Sequence, residues 1–164
     1  MKILVVSDTH GIEKNLYKAL LNEKPIDMMI HAGDTSGNER EIELMADCPS
    51  KIVLGNNDYS MSLRNDEVFE VCGRKIWLTH GHRYGVYYGT DRLLYRALEL
   101  GASIVIYGHT HVPSVEFDED TGVYIVNPGS LTFPRQEDHT PSYIVLNINE
   151  DGEVDFSIKY IDRE

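Results

Sequence analysis

The chain has 164 residues, of which 41% are hydrophobic and 26% are charged, and this fits one globular domain spanning residues 1–164. Its 27 acidic and 15 basic residues give a formal net charge of −12, which argues against a nucleic-acid polymer or an anionic membrane surface as the partner. A small phosphate ester remains compatible with this charge, because bound divalent cations can invert the charge inside one cleft.

The first third of the chain alternates between strand and helix patterns. Apolar runs rich in β-branched residues predict buried strands, and apolar residues at helical spacing predict helices. The predicted order is strand 2–6, helix 13–22, strand 27–31, helix 39–47 and strand 52–54. This alternation indicates parallel strands joined by right-handed crossovers.

The remainder of the chain is mostly β-structure, divided by acidic turns that contain glycine. The predicted elements are a hairpin of strands 68–71 and 75–79, a helix at 91–100, and strands at 103–107, 112–117, 123–126, 142–148 and 154–161. Residues 132–141 are the least regular and predict a surface loop. Two sheets packed face to face, with helices outside, would accommodate both parts of the chain.

Polar side chains of the kinds that can bind metals directly follow five of the predicted strands. The motifs are Asp8-Thr9-His10, Gly33-Asp34, Gly55-Asn56-Asn57-Asp58, His80-Gly81-His82 and Gly108-His109-Thr110-His111. The carboxyl ends of parallel strands share one sheet edge, where sites form. In extended backbone, residues i and i+2 point to the same side, so Asp8 and His10 are expected to reach one ion together. His109 and His111 are expected to project together in the same way. The four glycines beside these residues would let the backbone turn sharply.

The candidate ligands offer oxygen and imidazole nitrogen atoms without a thiolate. They are Asp8, His10, Asp34, Asn56, His80, His109 and His111. This donor set suits Mn, Zn, Fe, Co or Ni better than Ca or a soft-metal centre. Seven side chains exceed the four ligands of one tetrahedral zinc, whereas two ions that share a carboxylate would use them all. Such an ion pair is suited to phosphoryl transfer. Each motif alone is also typical of a turn or a cap, and the complete ordered set is what favours a metal centre.

The order and spacing of these motifs, from Asp8 to about Arg135, resemble those of the calcineurin-like metallophosphoesterases, most closely the small YfcE-type phosphodiesterases of bacteria and archaea. The segments 127–130 (Asn-Pro-Gly-Ser) and 133–135 (Phe-Pro-Arg) also look like this subfamily. The resemblance implies an α/β fold, a four-layer α/β/β/α sandwich of two mixed sheets flanked by helices. It also implies a metal-dependent phosphodiesterase that hydrolyses a small phosphodiester with two divalent transition-metal ions, most readily Mn²⁺, and a bridging hydroxide.

The resemblance further implies which side chains bind each ion. One ion would be held by Asp8, His10, Asp34 and His111, and the other by Asp34, Asn56, His80 and His109. Asp34 would bridge the two ions and set their separation.

One position departs from the pattern of the larger relatives, which carry a histidine directly after the ligand asparagine. Here that position is Asn57, whose neutral amide cannot protonate a departing alkoxide, so we expect weak turnover of esters with poor leaving groups. His82 could act as the acid or could instead orient a ligand. His10 and Asn57 are close enough in sequence to the ligands to touch a substrate oxygen. Arg135 could approach the phosphate from its loop or be a solvated loop charge.

Several other residues carry weaker expectations. His31 lies within an apolar strand and is expected to be a buried, hydrogen-bonded core residue. Tyr84, Tyr87, Tyr88 and Tyr95 could line a substrate mouth or form a homodimer face. Cys48 and Cys72 are expected to be unpaired, which fits a reducing cytoplasm. The N-terminal apolar run is too short for a signal peptide, so a cytoplasmic protein is predicted.

Two alternatives to a phosphodiesterase remain open at this point. A metal-dependent amidase or lactonase would need a similar ion pair. A non-catalytic scaffold that binds partner proteins, like the retromer subunit of the same fold, would not need to keep every ligand position.

Overall fold

The computed structural model describes residues 1–163, which form ten strands and three helices. The elements are β1 (Lys2–Val6), α1 (Lys14–Glu23), β2 (Met28–His31), α2 (Glu39–Ala46), β3 (Ser50–Ile52), β4 (Asp66–Val71), β5 (Arg74–Thr79), α3 (Asp91–Leu100), β6 (Ile104–Ile106), β7 (Pro113–Asp118), β8 (Val123–Pro128), β9 (Ser142–Ile148) and β10 (Val154–Tyr160). Every predicted element is present, and most bounds differ by one or two residues.

The largest shift in bounds concerns β3, which was predicted at residues 52–54 and is observed at Ser50–Ile52. Val53 instead forms an isolated bridge with Arg64, and the Leu54 amide donates to the Arg64 carbonyl at 2.8 Å. The apolar pattern was correctly located, but its last residues pair with a later segment.

The strands form two mixed sheets of five strands each, in the orders β10-β9-β1-β2-β3 and β4-β5-β6-β8-β7. In the first sheet, β1, β2 and β3 are parallel, as the strand–helix alternation predicted. The late strand β9 lies antiparallel to β1 on its other side. In the second sheet, β5, β6 and β8 are parallel, while β4 and β7 form antiparallel edges.

The side chains of β1 alternate between two cores. Ile3 and Val5 join the core between the sheets, whereas Leu4 and Val6 pack with residues of α1 and α2 on the outer face. The second sheet likewise packs its outer face against α3, around Trp77. The result is the expected four-layer α/β/β/α sandwich.

The two sheets meet at the edge where the predicted site residues lie. The imidazole of His80, after β5, contacts the carbonyl of Ala32, which directly follows β2 of the first sheet, at 2.7 Å. The amide of His109, after β6, donates to the Asp8 carboxylate at 3.1 Å. Loops of both sheets therefore build one site.

No helix among residues 1–163 combines the length and apolar character needed to cross a membrane. Cys48 and Cys72 are both free and partly buried, as expected.

Candidate metal centre

Two buried carboxylates lie at the middle of the site. Asp8 Oδ1 is 3.1 Å from the Nε2 atom of His111, 3.6 Å from that of His10 and 3.9 Å from that of His80. Asp34 Oδ2 is 3.7 Å from His10 Nε2 and 3.5 Å from His80 Nε2. Residues that are up to 103 positions apart in the sequence thus face one small volume.

The donor atoms fall into two overlapping groups. Asp8, His10 and His111 form one group, and Asp8, Asp34 and His80 form the other, with each group's ligand atoms within 4.8 Å of one another. The resemblance places Asp34 between the two ions, whereas Asp8 is the carboxylate common to both groups here. The individual ligand roles therefore stay predictions.

The two remaining candidate ligands lie beside His80. Asn56 Oδ1 is 3.0 Å from His80 Nε2, and His109 Nδ1 is 3.2 Å from the same atom. All seven candidate ligands are consequently brought together.

Backbone carbonyls fix the orientation of two imidazoles. His80 Nδ1 donates to the Ala32 carbonyl and His111 Nδ1 donates to the Phe133 carbonyl, each at 2.7 Å. The Nε2 atoms of both rings face the site, and an imidazole oriented through Nδ1 in this way binds a metal through Nε2. His10 Nε2 lies 3.2 Å from His111 Nε2, which brings two potential metal ligands side by side.

Asp8 provides the test of whether a cation fits. Its side chain is fully buried, and Oδ2 accepts hydrogen bonds from Ser7 Oγ at 2.5 Å and from the His109 amide at 3.1 Å. Oδ1 has no hydrogen-bond partner anywhere in residues 1–163, although three imidazoles face it. An unpaired buried carboxylate oxygen is costly, and a divalent cation held jointly with those imidazoles would satisfy it. The residues therefore fit a metal.

The electrostatics of Asp8 and His109 agree with this fit. Burial alone would raise the pKa of Asp8, but the adjacent imidazoles of His10 and His111 outweigh it and lower the pKa well below its usual range. The Asp8 carboxylate raises the pKa of His10. Burial, followed by the charge of His80, lowers the pKa of His109 to about 4. The site thus keeps an ionised carboxylate beside the neutral His109 imidazole, as metal ligation requires.

The backbone of the ligand residues is not extended, contrary to the expectation from i, i+2 spacing. Left-handed φ angles occur at Asp8 (55°), His10 (50°), Asp34 (60°), His109 (68°) and His111 (60°). Such angles are uncommon for residues with a side chain and cluster at functional sites. The side chains converge because the chain turns at every second residue, rather than because a strand continues through the motif.

The four motif glycines serve two different purposes. Gly33 and Gly81 adopt φ angles of 102° and 100°, as the turn argument expected. Gly55 and Gly108 do not adopt left-handed angles, although a tight turn begins at each: the Asp58 amide donates to the Gly55 carbonyl at 3.2 Å and the Thr110 amide donates to the Gly108 carbonyl at 2.8 Å. A Cβ at Gly55 would lie 2.1 Å from Asp34 Oδ1, and one at Gly108 would lie 2.1 Å from Ser7 Oγ. These two glycines are required for space beside the carboxylates.

Asp58 is a supporting residue whose role no sequence pattern indicated. Its buried carboxylate accepts backbone hydrogen bonds from Asp34 at 2.8 Å, Gly55 at 2.9 Å and Ser36 at 2.8 Å. It therefore ties the loop after β2 to the loop after β3. Its place at the end of the Gly55–Asp58 motif was the only available signal.

The segment 127–133 supports the site from the other side. Ser130 Oγ donates to the Asp8 carbonyl at 2.8 Å and accepts from the Phe133 amide at 2.8 Å. Asn127 Nδ2 donates to the Gly108 carbonyl at 3.0 Å. The segment was recognised only by resemblance, because its site partners Gly108 and Asp8 lie 19 and 122 residues away in the sequence.

Asn57 touches the cluster through Asp34. Its backbone amide and its Nδ2 donate to the two oxygens of the Asp34 carboxylate, each at 2.9 Å. Asn57 therefore orients this carboxylate.

His82 lies next to the cluster without joining either metal group. Its ring centroid is 5.4 Å from that of His80 and 6.1 Å from that of His109. Burial lowers the pKa of His82, and its Nδ1 is buried with no hydrogen-bond partner in the described part of the chain.

Arg135 lies at the rim of the site. Its amide donates to the His111 carbonyl at 3.0 Å, and its guanidinium donates to the Tyr87 hydroxyl at 2.8 Å. Among the tyrosines expected at a substrate mouth or dimer face, the ring of Tyr87 contacts that of His109, whereas Tyr84 packs against Trp77.

His31 is confirmed as a buried core residue. Its Nδ1 accepts from the Gly33 amide and its Nε2 contacts Thr9 Oγ1, both at 3.1 Å.

Comparisons with known proteins agree with this architecture. The model of the calcineurin-like phosphoesterase superfamily domain matches residues 1–151. "Probable metallophosphoesterase YsnB" of Bacillus subtilis is 36% identical over 153 residues, which cover 93% of this chain and 87% of that protein. The structure of wild-type Vps29 of Entamoeba histolytica in complex with Zn²⁺ is 26% identical in sequence and superposes with a TM-score of 0.78. The match covers 98% of this chain and 99% of the Vps29 chain. The structure of a protein described as a novel archaeal phosphodiesterase is 26% identical in sequence and superposes with a TM-score of 0.74. The match covers 97% of this chain and 100% of that protein's chain.

Proposed function

The chain belongs to the calcineurin-like phosphoesterase superfamily, and from this premise we propose that it hydrolyses a small phosphodiester with two divalent transition-metal ions, Mn²⁺ first among them. Zn²⁺, Fe²⁺, Co²⁺ and Ni²⁺ suit the same donors. The proposed ligands are Asp8, His10, Asp34 and His111 for one ion, and Asp34, Asn56, His80 and His109 for the other. The similar archaeal phosphodiesterase supports a diester as the substrate.

The observation that carries the proposal is the Oδ1 atom of Asp8. It is buried without a hydrogen bond from residues 1–163, and three imidazole nitrogen atoms lie within 3.9 Å of it. When bound, two divalent ions supply Lewis-acid chemistry, since they draw charge from phosphate oxygens and lower the pKa of water.

The chain's own residues would hold and orient this site. Asn57 donates to both carboxylate oxygens of Asp34. Asp58 accepts from the amides of Asp34 and Gly55 and so holds the loops that follow β2 and β3. Because Asn57 cannot donate a proton to a leaving alkoxide, we expect diesters with good leaving groups to react much faster than those with poor ones. Arg135 would bind a phosphate oxygen from the rim as a charged donor.

His82 has two candidate roles, general acid and ligand-orienting residue. Its lowered pKa makes it a poor proton donor at neutral pH, and its ring packs beside His80 and His109. These observations favour the orienting role.

The proposed setting is a cytoplasmic protein that acts on a small diester rather than on a nucleic-acid polymer or a membrane. A homodimer also remains a proposal, and light scattering coupled to gel filtration would measure it.

The test is hydrolysis of bis-p-nitrophenyl phosphate by chelator-stripped protein, before and after addition of Mn²⁺. We expect activity to return with the metal, to be absent in Asp34→Ala and to be unchanged in Asp120→Ala, which alters an exposed carboxylate in the turn between β7 and β8. Failure with Mn²⁺ and with each of the other transition metals would refute the proposal.

The same experiment separates the alternatives. A scaffold that keeps its ligands would bind metal without turnover, so calorimetric metal binding with no hydrolysis of any ester would support the scaffold function. Metal-dependent hydrolysis of amides or lactones without phosphoester hydrolysis would support the other enzyme class.

A further inference from the structure

Two partly exposed aromatic rings flank the histidine cluster. Phe133 lies against His10, with ring centroids 5.3 Å apart, and is 51% exposed. Tyr87 lies against His109, with ring centroids 4.8 Å apart, and is 57% exposed. Each ring thus contacts a candidate metal ligand and leaves about half of its surface open to solvent.

The two rings are held by the same segment of chain. The Phe133 carbonyl accepts from His111 Nδ1, and two residues later Arg135 donates from its guanidinium to the Tyr87 hydroxyl. The Tyr87 hydroxyl in turn donates to the His109 carbonyl at 3.2 Å. Tyr87 comes from the loop after β5, so this contact joins two loops that are 48 residues apart.

These contacts hold the Tyr87 hydroxyl, the Arg135 guanidinium and the Phe133 backbone in place relative to the candidate ligands. A cation at the rim of the cluster suits a phosphate oxygen. A fixed aromatic face beside that cation suits a planar aromatic group, because such faces stack on nucleobases without needing a particular base. A short alkyl group would leave both rings uncovered.

We propose that Tyr87, Phe133 and Arg135 form a substrate subsite that selects phosphodiesters carrying a nucleobase or another planar aromatic group over purely aliphatic diesters. Arg135 binds the phosphate, and one or both rings stack against the aromatic group. This inference rests on the proposed phosphodiesterase function, since it assigns the substrate class of that same site.

The test measures binding directly and does not depend on turnover. Adenosine 5′-monophosphate and glycerol 3-phosphate carry the same phosphate charge and differ in the presence of a base. Both are titrated calorimetrically into Mn²⁺-loaded protein. A stacked base is worth about tenfold or more in affinity, so we expect the nucleotide to bind about tenfold more tightly than the aliphatic phosphate.

Three variants test which side chains cause that preference for the nucleotide. Phe133→Leu and Tyr87→Leu each remove a ring, and at least one of them is expected to lower the preference several-fold. Tyr87→Phe keeps the ring but removes the hydroxyl that holds Arg135, so it is expected to weaken both ligands while keeping the preference. The matched control is Phe117→Leu, since Phe117 is 50% exposed on the edge strand β7 and contacts Tyr124 rather than the cluster.

The outcomes separate this inference from the proposed function. Equal binding of the two ligands, no binding of either, or an unchanged preference in both leucine variants would overturn the subsite, even if metal-dependent hydrolysis of bis-p-nitrophenyl phosphate persists. Loss of that hydrolysis with every metal would instead refute the phosphodiesterase, whatever the ligand preference.

Discussion

Replacing Asp58 by asparagine tests whether the candidate ligand loops depend on one buried carboxylate. In the folded protein, Asp58 Oδ2 accepts from the amides of Asp34 and Gly55, and Oδ1 accepts from the amide of Ser36. An asparagine of the same shape keeps one oxygen and places an NH₂ group where the other oxygen was. The variant therefore loses one bond outright and reduces two charge-assisted bonds to neutral ones.

The magnitude follows from these three contacts. A hydrogen bond to a charged group contributes about 1.5–3 kcal/mol and a neutral one about 1 kcal/mol. We therefore expect Asp58→Asn to lower the free energy of unfolding of the metal-free protein by about 2.5–7 kcal/mol, a large part of the 5–15 kcal/mol typical of a domain. Because the carboxylate also positions ligand loops, metal affinity is expected to fall by about 10- to 100-fold.

Urea unfolding followed by circular dichroism measures the first effect, and calorimetric titration with Mn²⁺ measures the second. Asp120→Asn is the control, since its exposed side chain is expected to change the unfolding free energy by less than about 0.5 kcal/mol. If Asp58→Asn matches this control in both assays, the proposed role of the carboxylate is wrong.

Three further predictions address space, leaving groups and pH. Gly55→Ala is expected to abolish Mn²⁺ binding in calorimetry, because the added Cβ would lie 2.1 Å from Asp34 Oδ1. Gly122→Ala strains a left-handed turn (φ 75°) between β7 and β8 but its Cβ would meet no atom within 4 Å, so this variant is expected to bind Mn²⁺ normally. Asn57→His is expected to raise the turnover of phenyl diesters relative to p-nitrophenyl diesters by at least about tenfold, because general acids contribute most with poor leaving groups; an unchanged ratio would refute this. Burial and the Glu23 carboxylate raise the pKa of Tyr143 to about 12 from its ordinary 10.0, so its contribution to stability is intact below pH 10 and is lost as the pH rises towards 12. Alkaline unfolding of Tyr143→Phe should therefore be less steep than that of the original protein by up to about 2–3 kcal/mol over this range, and equal slopes would contradict the assignment.

Local sequence patterns were sufficient to predict the layers of the fold. The run from Lys2 to Val6 predicted a strand covered on both faces, and its alternate side chains do enter the two cores. The position of β9 beside β1 could not be predicted, because no local pattern specifies which strands pair across more than 130 residues.

The candidate ligands were identifiable because each motif directly follows a predicted strand. Their geometry was not, because left-handed turns at residues such as His10 and His111 depend on tertiary contacts rather than on intrinsic preference. The link between Arg135 and Tyr87 was similarly invisible, since neither residue belongs to a periodic pattern and their contact is long-range.

The strand order also has a consequence for how the chain reaches its fold. The second sheet is built from one continuous stretch, Asp66 to Pro128, whereas β1 lies between β2 and the late strand β9. During synthesis, one edge of β1 stays unpaired until Ser142–Ile148 has left the ribosome, and closing so long a loop delays folding. Pulse-labelled hydrogen exchange should accordingly protect the amides of β5, β6 and β8 before those of β1, so that the loop carrying Asp8 and His10 becomes fixed after the loops carrying His80 and His109.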